Sequence, residues 1–244
     1  ARTAASNNAP TGAVGNEQAL AASITTSGAM TVLKGGLPVR FGGILAGAIS
    51  RIALRSNTMQ ASSDKRVCLV VGAGDATGGA VARRFAREGY ITCVSRRSAD
   101  KLTSLVAQIE AAGGKAHAFA SDARKEEEVI GLIEQIESTI GEIDVLVFNI
   151  GANVMSSVLE ETARKYFKIW EMACFGGFLN GREVAKRMVT RQRGTIIFTG
   201  ATASLRGSAN FAAFAGAKHA LRALAQSMAR ELGPLGIHVA HSII

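Results

Sequence analysis

Short apolar runs alternate with longer segments from Lys65 to the end of the chain, and in the longer segments apolar residues recur every three or four positions. An uninterrupted apolar run is typical of a strand buried on both faces of a parallel sheet, and the longer segments are typical of crossover helices. The pattern predicts strands at Val67–Val71, Ile91–Ser95, Ala116–Ser121, Asp144–Phe148, Gly194–Thr199 and Ile237–Ile244. It therefore predicts an α/β fold with a doubly wound parallel sheet.

The segments between the strands place their apolar residues on single helical faces. Val81 and Phe85 lie four residues apart in a helix predicted at Gly78–Glu88, and a long helix is predicted at Thr162–Thr190. Ser98 is the expected N-cap of another helix. The remaining inner stripes are Leu102, Leu105, Val106 and Ile109 before Gly113 and Gly114; Val129, Ile133, Ile136 and Ile140 before Gly141; and Leu221, Leu224, Met228 and Leu232 before Gly233 and Pro234.

Residues 1–63 differ from residues 64–244, the predicted Rossmann domain. They are rich in Ala, Ser, Thr, Asn and Gly, and they hold five basic residues against one acid, Glu17. This basic N-terminal extension is typical of an organelle-targeting sequence, for a mitochondrion or plastid, or of its remnant, although an extension without a role fits the composition too. Within it, residues 41–54 are apolar and include Gly43-x-x-x-Gly47. As a helix they would rise ~21 Å, too short to cross a bilayer, so we expect them to contact other protein subunits or a membrane surface.

The charge and the cysteines narrow the classes of partner. The net charge is +9, but basic residues do not cluster with aromatic residues, which make up 5% of the chain, so nucleic-acid binding is not expected. Cys68, Cys93 and Cys174 are far apart and lack the spacing of a metal site. Cys68 and Cys93 lie in predicted buried strands. We interpret the cysteines as reduced core thiols, which indicates a non-secretory compartment.

A glycine-rich segment joins the first predicted strand to the first predicted helix. It runs from Gly72 through Gly74 and Thr77 to Gly78 and Gly79. In such a junction Gly72 allows a tight turn, Gly74 lets the backbone approach a ligand, and Gly78 permits close helix packing. The pyrophosphate of a dinucleotide would then meet the free N–H groups at the start of the helix. A turn that binds nothing is the alternative.

With these motifs, the chain from Val67 onward resembles the short-chain dehydrogenase/reductase family. The family's Thr-Gly-x-x-x-Gly-x-Gly motif corresponds to residues 71–78, with Ala76 at the middle glycine. Its Asn-Asn-Ala-Gly motif corresponds to residues 148–151, which retain Asn149 and Gly151. The resemblance implies a Rossmann fold, and it implies that Asp122, after the third strand, contacts the adenine of a bound dinucleotide.

The end of the second strand bears on the choice of dinucleotide. Arg96 and Arg97 stand there, and no acid occurs before Asp100. An acid at this place would bind the 2′-hydroxyl of NAD, whereas an arginine suits the 2′-phosphate of NADP. We therefore expect NADP(H), with NAD(H) as the alternative; both arginines could also simply face solvent.

The family's catalytic positions are altered in this chain. The resemblance implies a tyrosine that exchanges a proton, a lysine four residues later, a serine thirteen residues before the tyrosine, and an asparagine in the preceding helix. Here these positions hold Phe214, Lys218, Ala201 and Cys174, so only the lysine is retained. Its expected contact is the nicotinamide ribose. Phenylalanine has no proton to exchange, and the ordinary acid–base relay is therefore not expected.

Substitutes for the missing groups are few. Thr202 adjoins the serine position and Ser204 lies two residues further, so either could contact a substrate carbonyl. His219 follows Lys218 and is expected to be structural. In the family, a Pro-Gly turn, a lid and a seventh strand follow the last strand found here, whereas this sequence ends at Ile244. Either the sequence is incomplete or the lid is missing.

Two functions fit these observations. The first is an NADP(H)-binding protein that has lost ordinary catalysis and serves as an accessory or structural subunit of a larger organellar assembly. The alternative is an atypical NADP-dependent oxidoreductase that uses Lys218 with Thr202 or water as its proton source. A free-standing NADP-sensing regulator is a third possibility, and fold alone does not decide among them.

Overall fold

A parallel sheet forms the centre of residues 66–244, the part of the chain that the computed structural model describes. Its strands are β1 (Val67–Val71), β2 (Ile91–Arg96), β3 (Lys115–Ala120), β4 (Ile143–Phe148), β5 (Gly194–Gly200) and β6 (Ile237–Ile243). Their order in the sheet is β3-β2-β1-β4-β5-β6, and every neighbouring pair is parallel. The predicted α/β Rossmann fold is confirmed. The expectations for residues 1–63 lie outside the described residues.

Strand ends differ from the prediction by single residues at several places. β1 matches the prediction, whereas β3 begins at Lys115 and ends at Ala120, one residue earlier than expected. The reason is its pairing with β2, which runs from Ile91 opposite Lys115 to Arg96 opposite Ala120. β3 is an edge strand with mostly exposed side chains, so hydrogen-bond register rather than an apolar run sets its ends.

Helices cover both faces of the sheet. They are α1 (Thr77–Arg87), α2 (Thr103–Ala111), α3 (Glu126–Thr139), α4 (Ala163–Trp170), α5 (Gly176–Arg191) and α6 (Ala212–Leu232). The single helix predicted at Thr162–Thr190 is α4 and α5 joined by a π-helical turn at Glu171–Phe175. The expected cap by Ser98 is wrong, because a 3₁₀ turn at Ala99–Leu102 comes first and the Ser98 side chain forms no capping hydrogen bond.

Two apolar layers hold the helices on the sheet. On one face α3, α5 and α6 pack on side chains such as Leu69, Leu146 and Phe198, and on the other α1 and α2 pack on Val70 and Val147. The predicted stripes lie in these layers; their most exposed members, which are only partly buried, are Val106, Ile140, Leu224 and Met228. No helix within residues 66–244 combines the length and the apolar composition that crossing a membrane would need.

The strand order reverses its direction between β1 and β4. From β1 the sheet grows towards β2 and β3 on one side, and from β4 towards β5 and β6 on the other. In sheets of this kind, ligands bind at the carboxyl ends of the strands beside this switch point. The glycine-rich segment follows β1 directly, so the fold places it at that position.

Candidate cofactor and active site

The glycine-rich loop makes a tight turn at the carboxyl end of β1. Gly72 has a φ of 83°, a conformation that L side chains rarely adopt. The backbone N–H groups of Gly72 and Ala73 both donate to the Ser95 carbonyl, at 2.9 and 3.2 Å. A Cβ atom at Gly72 would lie 2.6 Å from Cγ1 of Ile150. The tight turn predicted at Gly72 is therefore confirmed, and no larger residue fits there.

The start of α1 packs directly on this loop. A Cβ atom at Gly78 would lie 2.7 Å from the Gly72 carbonyl oxygen, and one at Gly79 would overlap the Gly74 carbonyl oxygen. The close packing predicted at Gly78 thus extends to Gly79, to which the sequence analysis gave no separate role. Gly74 differs, since the nearest atom to a Cβ there is Nη1 of Arg96, at 3.9 Å. Its predicted purpose, room for a ligand, remains a prediction.

The first turn of α1 has the features of an anion-binding helix end. Its N-cap is Ala76, which makes no side-chain capping bond, and no acid occurs in the turn that begins at Thr77. The first N–H groups of a helix lack partners within the helix and attract negative charge. The φ of Ala76 is −87°, so the position of the missing middle glycine does not require the left-handed conformation that favours glycine. These residues fit the pyrophosphate of a dinucleotide.

Asn149 holds the phosphate loop in place from the end of β4. Its backbone N–H donates to the Val71 carbonyl at 2.8 Å, and its side-chain Nδ2 donates to the Gly72 carbonyl at 3.2 Å. The structure therefore gives Asn149 a contact within the protein. A direct contact between Asn149 and a nucleotide remains a prediction.

The arginines after β2 lie beside the same loop. Arg96 is partly buried, with its guanidinium next to Gly74, and Arg97 is exposed. Arg97 also helps to lower the pKa of Asp122, which places its charge near the carboxylate at the end of β3. The carboxyl edge of β1, β2 and β3 is therefore lined by positive charge where the adenosine half of a dinucleotide would lie.

Asp122 is engaged by an arginine that the sequence analysis did not identify. Arg124 donates from Nε to Oδ1 of Asp122 at 2.8 Å and from Nη2 to Oδ2. These hydrogen bonds are the main reason that the pKa of Asp122 falls to about 2. Arg124 also lies 3.5 Å from the Glu171 carboxylate in the π turn. The contact between Asp122 and adenine remains a prediction. Both oxygens of the Asp122 carboxylate accept hydrogen bonds from Arg124.

Lys218 is the centre of the candidate active site. Its Nζ donates to the Thr199 carbonyl at 2.8 Å and to the Ile150 carbonyl at 3.1 Å, so it joins the carboxyl ends of β5 and β4. The residue is 4% exposed, and burial lowers the pKa of its ammonium to about 8. A Cβ atom at Gly151 would lie 3.2 Å from Nζ, so the backbone passes directly over the amine.

The other three positions of the family's relay hold Phe214, Ala201 and Cys174. Phe214 is buried one turn earlier on α6, and a Cβ atom at Gly151 would lie 3.6 Å from its Cε2 atom. Ala201 directly follows β5. Cys174 lies buried in the π turn, and burial raises the pKa of its thiol. The structure thus brings Lys218, Phe214 and Gly151 together, and no phenol, hydroxyl or amide stands at the three altered positions.

Ser204 does not replace the missing serine. It is completely buried, its Oγ accepts from the Ala201 N–H at 3.2 Å, and it lies 3.3 Å from Nε2 of His241. The expectation that Ser204 could contact a substrate carbonyl is therefore wrong, because the side chain turns inward. Thr202 is exposed on the same turn, and its role remains a prediction.

His241 was not identified from the sequence, although it borders the site from β6. Burial, followed by the charges of Lys218 and Arg222, lowers the pKa of His241 to about 4, so its ring is neutral near pH 7. A Cβ atom at Gly200 would overlap the ring, so only glycine fits there. His219 points elsewhere, with Nδ1 bonded to the Ala215 carbonyl at 2.9 Å, which agrees with a structural role.

A family model described as short chain dehydrogenase matches residues 66–243. The chain belongs to the short-chain dehydrogenase/reductase family. This finding confirms the resemblance drawn from the sequence, and the family binds NAD(P) on the fold described above. Within residues 66–244, this short-chain dehydrogenase/reductase has no cluster of three or more His, Cys, Asp or Glu residues that could hold a metal ion.

Solved structures of other family members superimpose on the chain. A short-chain dehydrogenase from Rhodopseudomonas palustris is 51% identical with a TM-score of 0.71, and the alignment covers 73% of this chain and 84% of that one. A metagenomic short-chain oxidoreductase in complex with NADP is 26% identical (TM-score 0.71, covering 74% and 82%). An NAD⁺-bound xylitol dehydrogenase is 30% identical (TM-score 0.70, covering 73% and 69%). Related proteins therefore bind either dinucleotide.

Proposed function

We propose that this short-chain dehydrogenase/reductase is an atypical NADP(H)-dependent oxidoreductase, in which Lys218 exchanges the proton that a tyrosine ordinarily exchanges. The observation that carries the proposal is the buried amine of Lys218, held between the Thr199 and Ile150 carbonyls at the switch point of the sheet. Its pKa of about 8 is close to neutral, where general acid–base catalysis is most effective.

The side chains around Lys218 define its chemical task. Two of its three N–H groups are directed at backbone carbonyls, which fixes Nζ and leaves one N–H to donate to a substrate oxygen. Phe214 offers an apolar ring nearby, which lowers the local dielectric constant and strengthens electrostatic interactions at the site. A bound dinucleotide supplies or accepts the hydride. In the reducing direction Lys218 gives its proton to the new alcohol oxygen and takes another from water.

The first test is the choice of dinucleotide. We expect NADPH to bind the full chain more tightly than NADH, because Arg96 and Arg97 would contact the 2′-phosphate. Arg96→Asp should weaken NADPH binding about 10–100-fold, the usual range for a lost charge-assisted hydrogen bond. Isothermal titration calorimetry with both nucleotides measures this. Arg230→Asp, which changes an exposed arginine on α6, is the matched control, and tighter binding of NADH by the unmodified chain would refute the preference.

The second test addresses Lys218. Lys218→Met should lower the rate of NADPH oxidation with ketone or aldehyde substrates by about 10²–10⁴, the usual cost of a lost acid. Lys218→Arg keeps the positive charge but not a pKa near 8. The rate of the unmodified chain should change with pH near 8, and the rate of Lys218→Arg should not. Steady-state rates measured from pH 6 to 10 distinguish these outcomes. A pH profile that is unchanged in Lys218→Arg would exclude Lys218 as the proton donor.

The pKa of Lys218 has an independent readout in folding. The unfolded lysine, with a pKa near 10.5, holds a proton that the folded residue loses above about pH 8. The unfolded state therefore binds more protons in this window, and the free energy of unfolding should rise as the pH increases from 8 to 10.5. Denaturant titrations of the unmodified chain should show this rise relative to Lys218→Met.

A second candidate is a nucleotide-binding subunit without turnover. It is favoured by the absence of an acid or amide at Phe214, Ala201 and Cys174, and by exposed aromatic side chains such as Phe167, which is 60% exposed. Such side chains are often covered by a partner. In this second function the protein would be an accessory subunit of an organellar assembly, and residues 1–63 would contact other subunits or a membrane surface. Tight NADPH binding with no turnover in any substrate class would support it over the first.

A further inference from the structure

A groove of about 350 Å³ lies between the loop after β4 and the first turns of α4. Its apolar lining consists of Ala152 and Val154 on the loop, Ile169 on α4 and Met172 in the π turn. This volume is at the lower end of the range for small-molecule pockets, and a lining that is mostly apolar with a few polar groups is typical of them.

The rim of the groove is positively charged. Arg164, Lys165 and Lys168 line it. Lys165 lies 3.6 Å from a Glu161 carboxylate oxygen and Lys168 lies 2.7 Å from one of Glu171, so two of the three charges have acidic neighbours.

Arg164 is the uncompensated charge. Its side chain forms no ion pair or hydrogen bond with any residue of the range 66–244. It stands in the first turn of α4, which holds no acid. Cations at the positive end of a helix are unfavourable, and an anion placed there would relieve the repulsion.

The groove adjoins the candidate active site. Ala152 directly follows Gly151, whose backbone passes over the Lys218 amine. The same loop exposes further apolar side chains: Met155 is 67% exposed, Val158 70% and Leu159 92%. Several large apolar side chains exposed on one loop are typical of a binding surface. Ala152, which lines the groove, is therefore joined directly along the backbone to the residue that contacts Lys218.

We propose that the groove binds an amphipathic organic acid, with its aliphatic chain on the apolar lining and its carboxylate at Arg164. Charge complementarity selects an anion, and the apolar lining selects a hydrocarbon chain over a free phosphate. This inference rests on the proposed function: the substrate of the oxidoreductase is then a keto or hydroxy acid whose reacting carbon lies at Lys218.

Binding can be measured without any reaction. Hexanoate, octanoate and decanoate, titrated into the full chain without dinucleotide and followed by calorimetry or NMR, should bind with an affinity that rises with chain length. Each added methylene that is buried should tighten binding about fourfold. Octanol of equal length should bind more weakly than octanoate, because it lacks the charge that Arg164 would meet.

Two matched variants test the charge. Arg164→Gln should weaken octanoate binding about tenfold, the effect of a lost charge-assisted hydrogen bond, whereas Arg230→Gln on α6 should not change it. No octanoate binding, equal binding by Arg164→Gln, or equally tight binding of inorganic phosphate would each overturn the proposal. Lys218→Met should still bind octanoate. Loss of turnover with retained octanoate binding therefore separates the groove from the proposed reaction.

Discussion

Gly79→Ala should abolish measurable NADPH binding and destabilise the fold. A Cβ atom at this position would overlap the carbonyl oxygen of Gly74, which belongs to the backbone of the phosphate loop and has little freedom to move. The start of α1 and the loop would therefore move apart, and overpacking of this kind costs about 1–3 kcal/mol. The free energy of unfolding by denaturant measures the first effect, and calorimetry with NADPH measures the second.

Gly131→Ala is the matched control for this prediction. Gly131 lies within α3, and a Cβ atom there would have nothing within 4 Å. Alanine in a helix interior stabilises relative to glycine by about 0.5–1 kcal/mol, so this variant should be slightly more stable and bind NADPH normally. If Gly79→Ala bound NADPH as tightly as the unmodified chain, the loop would not be the dinucleotide site.

A gain of catalytic activity is the second large effect that we expect. Ala201→Ser combined with Phe214→Tyr returns a hydroxyl and a phenol to the positions of the family's serine and tyrosine, and Phe214 lies four residues before Lys218 on α6. An ammonium beside a phenol lowers the phenol's pKa and makes it a better proton donor. The rate of NADPH oxidation with ketones should rise over that of the unmodified chain, in which Lys218 alone exchanges the proton, although by less than the about 10²–10⁴ that a first positioned acid contributes. A spectrophotometric assay over ketones, aldehydes and keto acids measures it.

Phe214→Leu is the control for this gain, since it changes the ring without adding a proton donor. Adding Cys174→Asn should raise the rate further if the amide joins the relay. These groups act as a unit, so their effects need not multiply. A double variant that binds NADPH but is no faster than the unmodified chain would contradict the assignment of Phe214 and Ala201 to the catalytic positions.

The periodicity of apolar residues was sufficient to predict the sheet, because β1 is a continuous apolar run that is buried on both faces, and β4 is apolar apart from Asp144. It predicted the edge strand β3 less well, because exposed polar residues pair there as readily as apolar ones. The glycines of the phosphate loop were predicted because their requirement is also local. A tight turn between a strand and a helix needs glycine at fixed spacings, and this spacing is visible in the sequence.

The features that the sequence did not reveal depend on the path of the backbone in three dimensions. Ser204 turns inward because His241, which is far along the chain, reaches it from β6. Arg124 is predictable as a charge, but its two hydrogen bonds to Asp122 depend on the path of the turn after β3. The first contact depends on the pairing of β5 with β6, and the second depends on the conformation of a turn that the residue types alone do not specify.

The π turn at Glu171–Phe175 affects how this chain is aligned with its relatives. A π turn holds one more residue than the α-helical turn it replaces. Alignment with a relative that has an uninterrupted helix there therefore needs a one-residue gap within the turn. Moving that gap moves the residue opposite the relative's asparagine, from Cys174 to Ala173 or Phe175. None of the residues from 171 to 175 has an amide side chain, so the asparagine has no counterpart at this turn wherever the gap is placed.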